Sequence, residues 1–158
     1  MMAPTHVLMG VALGSVMAPR QRLGVLLVVG AACAVVPDVE LLAPYLGGDR
    51  DFHRRFTHSI VFAVLVGFSC AAVEWLARHS RAQSVRVGGY TALATMSHAI
   101  ADMLTTYPPG VALLSPFSEE RFHLPWRPIT SVTREFEFVV LPLLLLVTLV
   151  LCWRLWRP

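Results

Sequence analysis

Two apolar runs are long enough to cross a lipid bilayer, and they constrain the fold more than any other feature of the sequence. Ile60 to Ala77 directly follows the polar segment His53–Ser59, and Phe138 to Trp156 lies near the C-terminus. A helix that crosses the hydrocarbon core needs about 20 apolar residues, and its backbone polar groups must be satisfied within the segment. The sequence therefore predicts an integral membrane protein built from helices.

Three further apolar segments complete the predicted bundle. Residues 4–18 and 23–36 are short for full spans and are expected to form a tight hairpin. Residues 87–107 are rich in Gly, Ala, Ser and Thr, which let membrane helices approach closely, so this helix is expected to be central. With 56% apolar and only 15% charged residues, the 158-residue chain is predicted to be an all-α polytopic bundle of about five transmembrane helices, the first two short, in a single domain, 1–158.

Two connections are long enough to carry polar structure. Residues 38–52 contain Pro44 and the acids Glu40, Asp49 and Asp51, and they are predicted to form a turn-rich surface loop. Residues 108–137 are rich in proline and contain no long apolar run, and a loop of this length is usually functional or disordered. This second segment is predicted to be an extramembrane lid over the site. The alternation in Arg134–Phe138 suggests a short strand or hairpin within it.

Basic residues are scattered over every loop, so the net charge of +3 favours membrane orientation over nucleic-acid binding. Five spans divide the arginines into two groups. One group occupies short connections without acids: Arg20, Arg22, Arg78, Arg81, Arg86, Arg154 and Arg157. The other comprises Arg50, Arg54, Arg55, Arg121, Arg127 and Arg134. Because short cytoplasmic loops carry excess positive charge, the first group is predicted to be cytoplasmic and the second extracytoplasmic.

Histidines and carboxylates recur at the ends of the apolar runs. If the runs are antiparallel helices, these residues meet at one end of the bundle: His6, Asp38, His53, His58, His98 and Asp102. His98 and Asp102 are four residues apart, so both side chains lie on one helix face and can hold one ion. The alternative is a satisfied polar pair that joins two helices. An acid within a membrane helix is costly unless it is paired, and a cation or a positive partner is the usual solution. The convergence of the other candidates at the same end of the bundle favours a metal ion.

The type of ligand indicates the kind of metal. Imidazole nitrogen with carboxylate oxygen, and no thiolate, suits Zn²⁺ in a catalytic site, with Mn²⁺ or Fe²⁺ as alternatives. The number of candidate ligands exceeds what one open catalytic ion needs, so one or two ions are expected.

These motifs resemble the membrane-bound metal-dependent hydrolases of the YdjM type. The matching segments are Thr5-His6 with Gly10, residues 37–40, residues 53–59, residues 97–102, and residues 110–118 with Arg121-Phe122. The chain departs from the family pattern at Glu40 and Arg55, where the family tends to have Asp and Gly. The resemblance implies a metal-dependent hydrolase in a bacterial-type cytoplasmic (inner) membrane.

The order Asp, His, then His-x-x-x-Asp is more distantly similar to the zinc site of phospholipase C and P1-type nucleases. That similarity implies that Asp38, His53 or His58, His98 and Asp102 hold the main ion, and that His6 with Asp102 contributes to a second.

The leading hypothesis is a hydrolase in which metal-activated water attacks a phosphoester, or a related bond, of a lipid or another amphiphilic substrate. Glu40 or Asp38 would be the general base, and arginines such as Arg54 and Arg55 would balance developing negative charge. Substrate contacts are expected from Arg121, His123 and Arg127.

Thr57 and Ser59 are interpreted as helix caps rather than nucleophiles. Two other classes of function remain open. One is a metal- or proton-linked transporter, although the chain has no internal repeat. The other is a non-catalytic membrane scaffold that contains a structural ion.

Overall fold

The computed structural model describes residues 1–46 and 53–156. Asp49, Arg50, Asp51 and Arg157, which were predicted to lie in loops or at a helix end, fall outside this range. The described residues form α1 (Ala3–Met17), α2 (Leu23–Val35), α3 (Ile60–Arg78), α4 (Arg81–Met103), α5 (Val132–Glu135) and α6 (Leu141–Trp156). Extended structure among them is limited to two isolated bridges. The all-α prediction is confirmed.

Three segments are long and apolar enough to cross a membrane: Leu23–Leu42, Ile60–Arg78 and Val132–Arg154. α1 is also apolar but only 15 residues long. α4 has 23 residues, about 34 Å at 1.5 Å per residue, but its sequence is more polar. It packs against α1, α2 and α3, so its polar residues face other helices, as expected for a central helix.

Two predicted helix boundaries are wrong. α4 begins at Arg81, six residues before the predicted start near Val87, and it ends at Met103 rather than Tyr107. Ala, Gln and Arg in the supposed link are good helix formers, so only His79 and Ser80 separate α3 from α4. After Met103 the chain leaves the helix, and the backbone N–H of Thr106 donates to the carbonyl of Ile129.

Two segments predicted to be irregular or extended are helical. α2 ends at Val35 beside Pro37, but Val36–Leu46 continues as a 3-10 helix instead of a turn-rich loop. Proline is compatible with this continuation because the first turn of a helix leaves its N–H groups unbonded. The predicted strand at Arg134–Phe138 is wrong. α5 covers Val132–Glu135, and a π-helical turn, Phe136–Val140, leads directly into α6.

The segment between α4 and α5 is held against the His53–Ser59 motif by backbone hydrogen bonds. The N–H of Ala112 donates to the carbonyl of Arg54 at 2.9 Å, and the carbonyl of Leu113 accepts from the first N–H of α3 at 3.1 Å. Val111 and Ala112 are fully buried. These contacts join the segment to the end of the bundle that contains the motif residues.

Glycines bring α1, α2 and α4 into close contact around one buried tyrosine. The Tyr90 hydroxyl donates to the carbonyl of Leu26 at 2.8 Å and lies 3.1 Å from that of Gly10. A Cβ on Gly30 would stand 1.5 Å from the same hydroxyl, and one on Gly10 would stand 2.3 Å from the Gly30 carbonyl oxygen. Any larger residue at these positions would push the helices apart.

We expect Gly30→Ala to destabilise the protein by about 1–3 kcal/mol, because the added methyl group overpacks the contact with Tyr90. The matched control is Gly24→Ala on the same helix, where nothing lies within 4 Å of the new Cβ. Thermal unfolding in detergent would measure both. Tyr90→Phe should partly rescue Gly30→Ala, because it removes the hydroxyl. Equal midpoints for the two alanine variants would contradict this account of the packing.

A buried histidine and carboxylate cluster as a candidate metal centre

Three imidazoles from three parts of the chain meet at one end of the bundle. α1 contributes His6, the turn before α3 contributes His58, and α4 contributes His98; each is at most 1% exposed. The rings of His6 and His98 stack with centroids 3.5 Å apart, and His58 packs edge-on against His98 at 4.7 Å. Three rings in this arrangement place several ring nitrogens in a small volume.

Two carboxylates complete the cluster. Asp38 Oδ1 lies 3.3 Å from Nε2 of His98 and 3.8 Å from Nε2 of His58. The two oxygens of Asp102 lie 3.6 Å from Nε2 of His6 and 3.7 Å from Nε2 of His58. The side chain of Asp102 is 2% exposed and that of Asp38 is 16% exposed. Of the two acids, Asp38 is therefore the one that solvent reaches more easily.

Other polar groups orient two of the imidazoles. Nδ1 of His98 lies 2.7 Å from the carbonyl of Ala34, which can only accept, so Nδ1 is the donor and Nε2 lies on the side of Asp38. Nδ1 of His58 lies 3.1 Å from Glu40 Oε1. Metal-binding histidines typically donate their second N–H to a carbonyl or a carboxylate in this way. Glu40 thus supports the cluster from outside.

The ring nitrogens that face the cluster have no hydrogen-bond partner among the described residues. This is true of Nε2 in His6, His58 and His98, all of them buried. Burial lowers the pKa of His58 and favours the neutral imidazole that can bind a metal. Buried polar atoms are normally satisfied, and a coordinated cation would satisfy these three together.

The ligand atoms fall into two adjoining groups, each with a spread of no more than 4.8 Å: His6, His98 and Asp102, and Asp38, His53 and His58. The six residues predicted as metal ligands therefore lie together. His53 differs from the rest because it is half-buried and its Nδ1 faces Glu40 Oε1 at 3.2 Å. The donor set of imidazoles and carboxylates fits a divalent transition metal.

Arg54 lies inside the site in an unusual backbone conformation. Its φ of 62° is in the left-handed region, which is uncommon for residues other than glycine. The guanidinium Nε lies 2.9 Å from Asp102 Oδ2, and another of its nitrogens donates to the carbonyl of Tyr107 at 3.0 Å. The backbone N–H of Arg54 donates to Glu40. Strained residues of this kind are concentrated at functional sites.

The other residues predicted to act on the substrate lie around this cluster. Arg55 is half-exposed and faces Glu119 at 3.8 Å. Arg121 donates to the carbonyls of His53, Arg54 and Gly110, at 3.2, 2.9 and 3.2 Å, so it braces the backbone of the motif. His123 packs over Gly110, and both His123 and Arg127 are exposed. Neither of these two belongs to the groups that could hold a metal.

Glu135 is a buried acid that sequence reasoning missed. It is 1% exposed and accepts hydrogen bonds from the Thr5 hydroxyl at 2.5 Å and from the backbone N–H of Met2 at 2.8 Å. The nitrogen of Met1 in turn donates to Asp102. Glu135 therefore joins the start of α1 to the last helical segment beside the cluster. The sequence did contain a signal for this role, because Glu135 is an acid at the edge of an apolar run. The prediction of a strand at Arg134–Phe138 concealed it.

Comparison with known proteins identifies the family. The sequence model described as YdjM inner membrane protein matches residues 1–157. The chain belongs to the YdjM family. Inner membrane protein YbcI of Escherichia coli (strain K12) is 37% identical over 123 residues, which cover 76% of this chain and 68% of that protein. No solved structure matches the chain. With three apolar helices of spanning length, this YdjM-family chain is a membrane protein.

If the cluster holds a divalent ion, we expect Asp102→Asn to lower the metal content of the purified protein. Loss of an outer partner of a metal ligand costs ~10–100-fold in affinity, and loss of an anionic candidate ligand should cost at least as much. Ser59→Ala is the matched control, because the Ser59 hydroxyl caps α3 by accepting from the N–H of Phe62 at 3.1 Å and is absent from the groups of candidate ligands.

Ser59→Ala should lower the free energy of unfolding by about 1 kcal/mol and leave the metal in place. Elemental analysis after gel filtration would measure occupancy, and circular dichroism would check helicity. Full occupancy in a folded Asp102→Asn protein would exclude Asp102 as a ligand.

Proposed function

We propose that this protein is a membrane-embedded metal-dependent hydrolase that cleaves a phosphoester of a lipid or another amphiphilic substrate. The observation that supports the proposal best is the convergence of three buried Nε2 atoms, from His6, His58 and His98, without hydrogen-bond partners among the described residues. Two carboxylates lie within 4 Å of these atoms. Polar residues of this kind within a membrane bundle mark functional sites.

The ions, one or two in number, would be held by His6, Asp38, His58, His98 and Asp102. The donor set suits Zn²⁺, with Mn²⁺ or Fe²⁺ as alternatives. A divalent ion bound there would activate a water molecule for attack and polarise the phosphoryl group. His53 would support the second group of ligands. The absence of cysteine from the cluster favours a catalytic over a purely structural ion.

Asp38 is the better of the two predicted general bases. The oxygens of Glu40 are engaged by Thr57, His53, His58 and the N–H of Arg54, so Glu40 is suited to positioning. Asp38 is more exposed and faces the open side of the cluster. It would accept the proton of the attacking water.

Arginines would balance the charge that develops on the phosphoryl group. Arg54 lies beside Asp102 and inside the site, and Arg55 is the more exposed of the pair. Residues of the 108–137 segment, among them Arg121, His123 and Arg127, would contact the headgroup from a lid position. The single domain, 1–158, would thus close over its substrate at the membrane surface.

The proposed topology has five spans, with α1 and α4 added to the three apolar segments. The opposite end of the bundle contains Arg22, Arg78 and Arg154. Arg22 pairs with Glu74, and Arg154 donates to the carbonyls of Ser15 and Ala18. The positive-inside rule would place this end in the cytoplasm and the metal cluster on the extracytoplasmic side.

The direct test is a screen of lipid phosphates with protein purified in detergent. We expect phosphate release from at least one lipid phosphoester, its loss on chelation and its recovery when Zn²⁺ is restored, because the activated water depends on the ion. Asp102→Asn should abolish turnover, and Ser59→Ala should retain it. If the zinc-loaded protein cleaved no phosphoester, or if turnover survived full chelation, the proposal would fail and metal-linked transport or a scaffold role would replace it.

The orientation can be tested separately with single cysteines in a background in which Cys33, Cys70 and Cys152 are replaced by serine. Glu119→Cys should react with a membrane-impermeant maleimide on intact cells, because it lies at the proposed outer face. Arg81→Cys should react only after permeabilisation, because it begins α4 at the arginine-rich end. Identical labelling at both positions would contradict five spans.

A further inference from the structure

We infer that the membrane-facing groove between α1 and α6 binds one acyl chain of the substrate, with the polar end of that substrate at the metal cluster. This inference rests on the proposed function for the identity of the polar end. The groove itself is defined by the packing of the helices and can be tested without turnover.

The groove exists because α1 and the last helical segment are joined by polar contacts at both ends. At the end nearest the metal cluster, the upper end, Glu135 accepts hydrogen bonds from the Thr5 hydroxyl and from the backbone N–H of Met2. At the lower end, Arg154 donates to the carbonyls of Ser15 and Ala18. Between these two attachments the side chains leave a cavity of about 260 Å³.

The walls of this cavity are apolar. Met9, Ala12, Leu13 and Val16 of α1 form one side, and Leu143 and Leu146 of α6 form the other. A second cavity begins at the shared residue Val16 and continues along α6 to Trp153 and Arg154. The two cavities meet at Val16 and follow one another along α6, and we treat them as one groove.

The upper end of the groove lies next to the metal cluster. Ser97, which also lines the cavity, immediately precedes His98 on α4. Met9 follows His6 by three residues, which places it on the same face of α1 one turn further from the cluster. A chain lying in the groove would therefore have its head beside the candidate ligands.

The size of the groove distinguishes an acyl chain from a partner helix. A helix with its side chains is about 10–12 Å in diameter, and it cannot enter a cavity of 260 Å³ whose two walls are joined at both ends. A single hydrocarbon chain is slender and flexible, and it matches the apolar walls. The phosphoester site beside the groove supplies the position for a charged headgroup.

Leu146→Trp and Leu145→Trp form a matched pair for testing this inference. Leu146 lines the groove, whereas Leu145 is adjacent, 61% exposed and absent from the lining. Each variant would be reconstituted into phosphatidylcholine vesicles that contain phosphatidic acid with a photoreactive diazirine in one acyl chain. Cross-linking would be carried out with chelator present, so that no hydrolysis is required, and the modified peptides would be mapped by mass spectrometry.

In the unsubstituted protein, cross-links should concentrate on the peptides of α1 and α6 that line the groove. Leu146→Trp should reduce them by about tenfold, the equivalent of losing contact with roughly two buried methylene groups. Leu145→Trp should leave them unchanged. Equal cross-linking in the two variants, or labels spread evenly over the exposed face of α3, would overturn the inference, because both results indicate bulk lipid.

Turnover measurements separate this inference from the proposed function. In zinc-loaded protein, Leu146→Trp should slow hydrolysis of phosphatidic acid by about tenfold and spare p-nitrophenyl phosphate, which has no chain to bind. If neither compound is hydrolysed but cross-links remain confined to the groove, acyl binding stands and the hydrolase proposal falls. If both are hydrolysed equally well by the two tryptophan variants, the groove does not bind the substrate.

Discussion

The rest of the structure depends on burying charge at one end of a membrane bundle. Asp102 is almost fully enclosed, and removing a carboxylate from water costs several kcal/mol unless partners compensate. His6 of α1 approaches its oxygens, as do Arg54 and His58 of the segment that precedes α3. The positions of α1, α4 and the turn before α3 are therefore linked through one carboxylate. The left-handed backbone at Arg54 is a local cost of bringing its guanidinium to that carboxylate.

The cluster also requires helices that approach more closely than ordinary side chains allow. Gly10 and Gly30 bring the backbones of α1 and α2 together, and Tyr90 of α4 donates to a carbonyl of α2 in the gap they leave. Four residues along α2 from Gly30, the carbonyl of Ala34 reaches Nδ1 of His98. Packing in the middle of the bundle thus determines the ring orientation at its end. A substitution far from the cluster can therefore disturb its geometry without touching any of its residues.

Much of this arrangement could be predicted from the sequence, because hydropathy and ligand chemistry are local properties. The apolar runs indicated the helices, and polar residues at their ends indicated which side chains would meet. Other features depend on tertiary contacts that local patterns do not contain. The pairing of Arg54 with Asp102 and the engagement of Glu40 with its four partners required the folded chain. The 3-10 continuation beyond Pro37 and the buried role of Glu135 were likewise invisible to periodicity.

The polarity of α4 has a consequence for how the protein is made. In the proposed five-span arrangement, α4 carries His98, Asp102 and several hydroxyl groups. Such a helix partitions poorly into lipid on its own. Only His79 and Ser80 separate it from α3, whose apolar surface partitions readily. The two helices would then enter the bilayer together as a hairpin, with Gly67 and Gly88 already in contact. The polar residues of α4 would be shielded from lipid by α3 before α6 is synthesised.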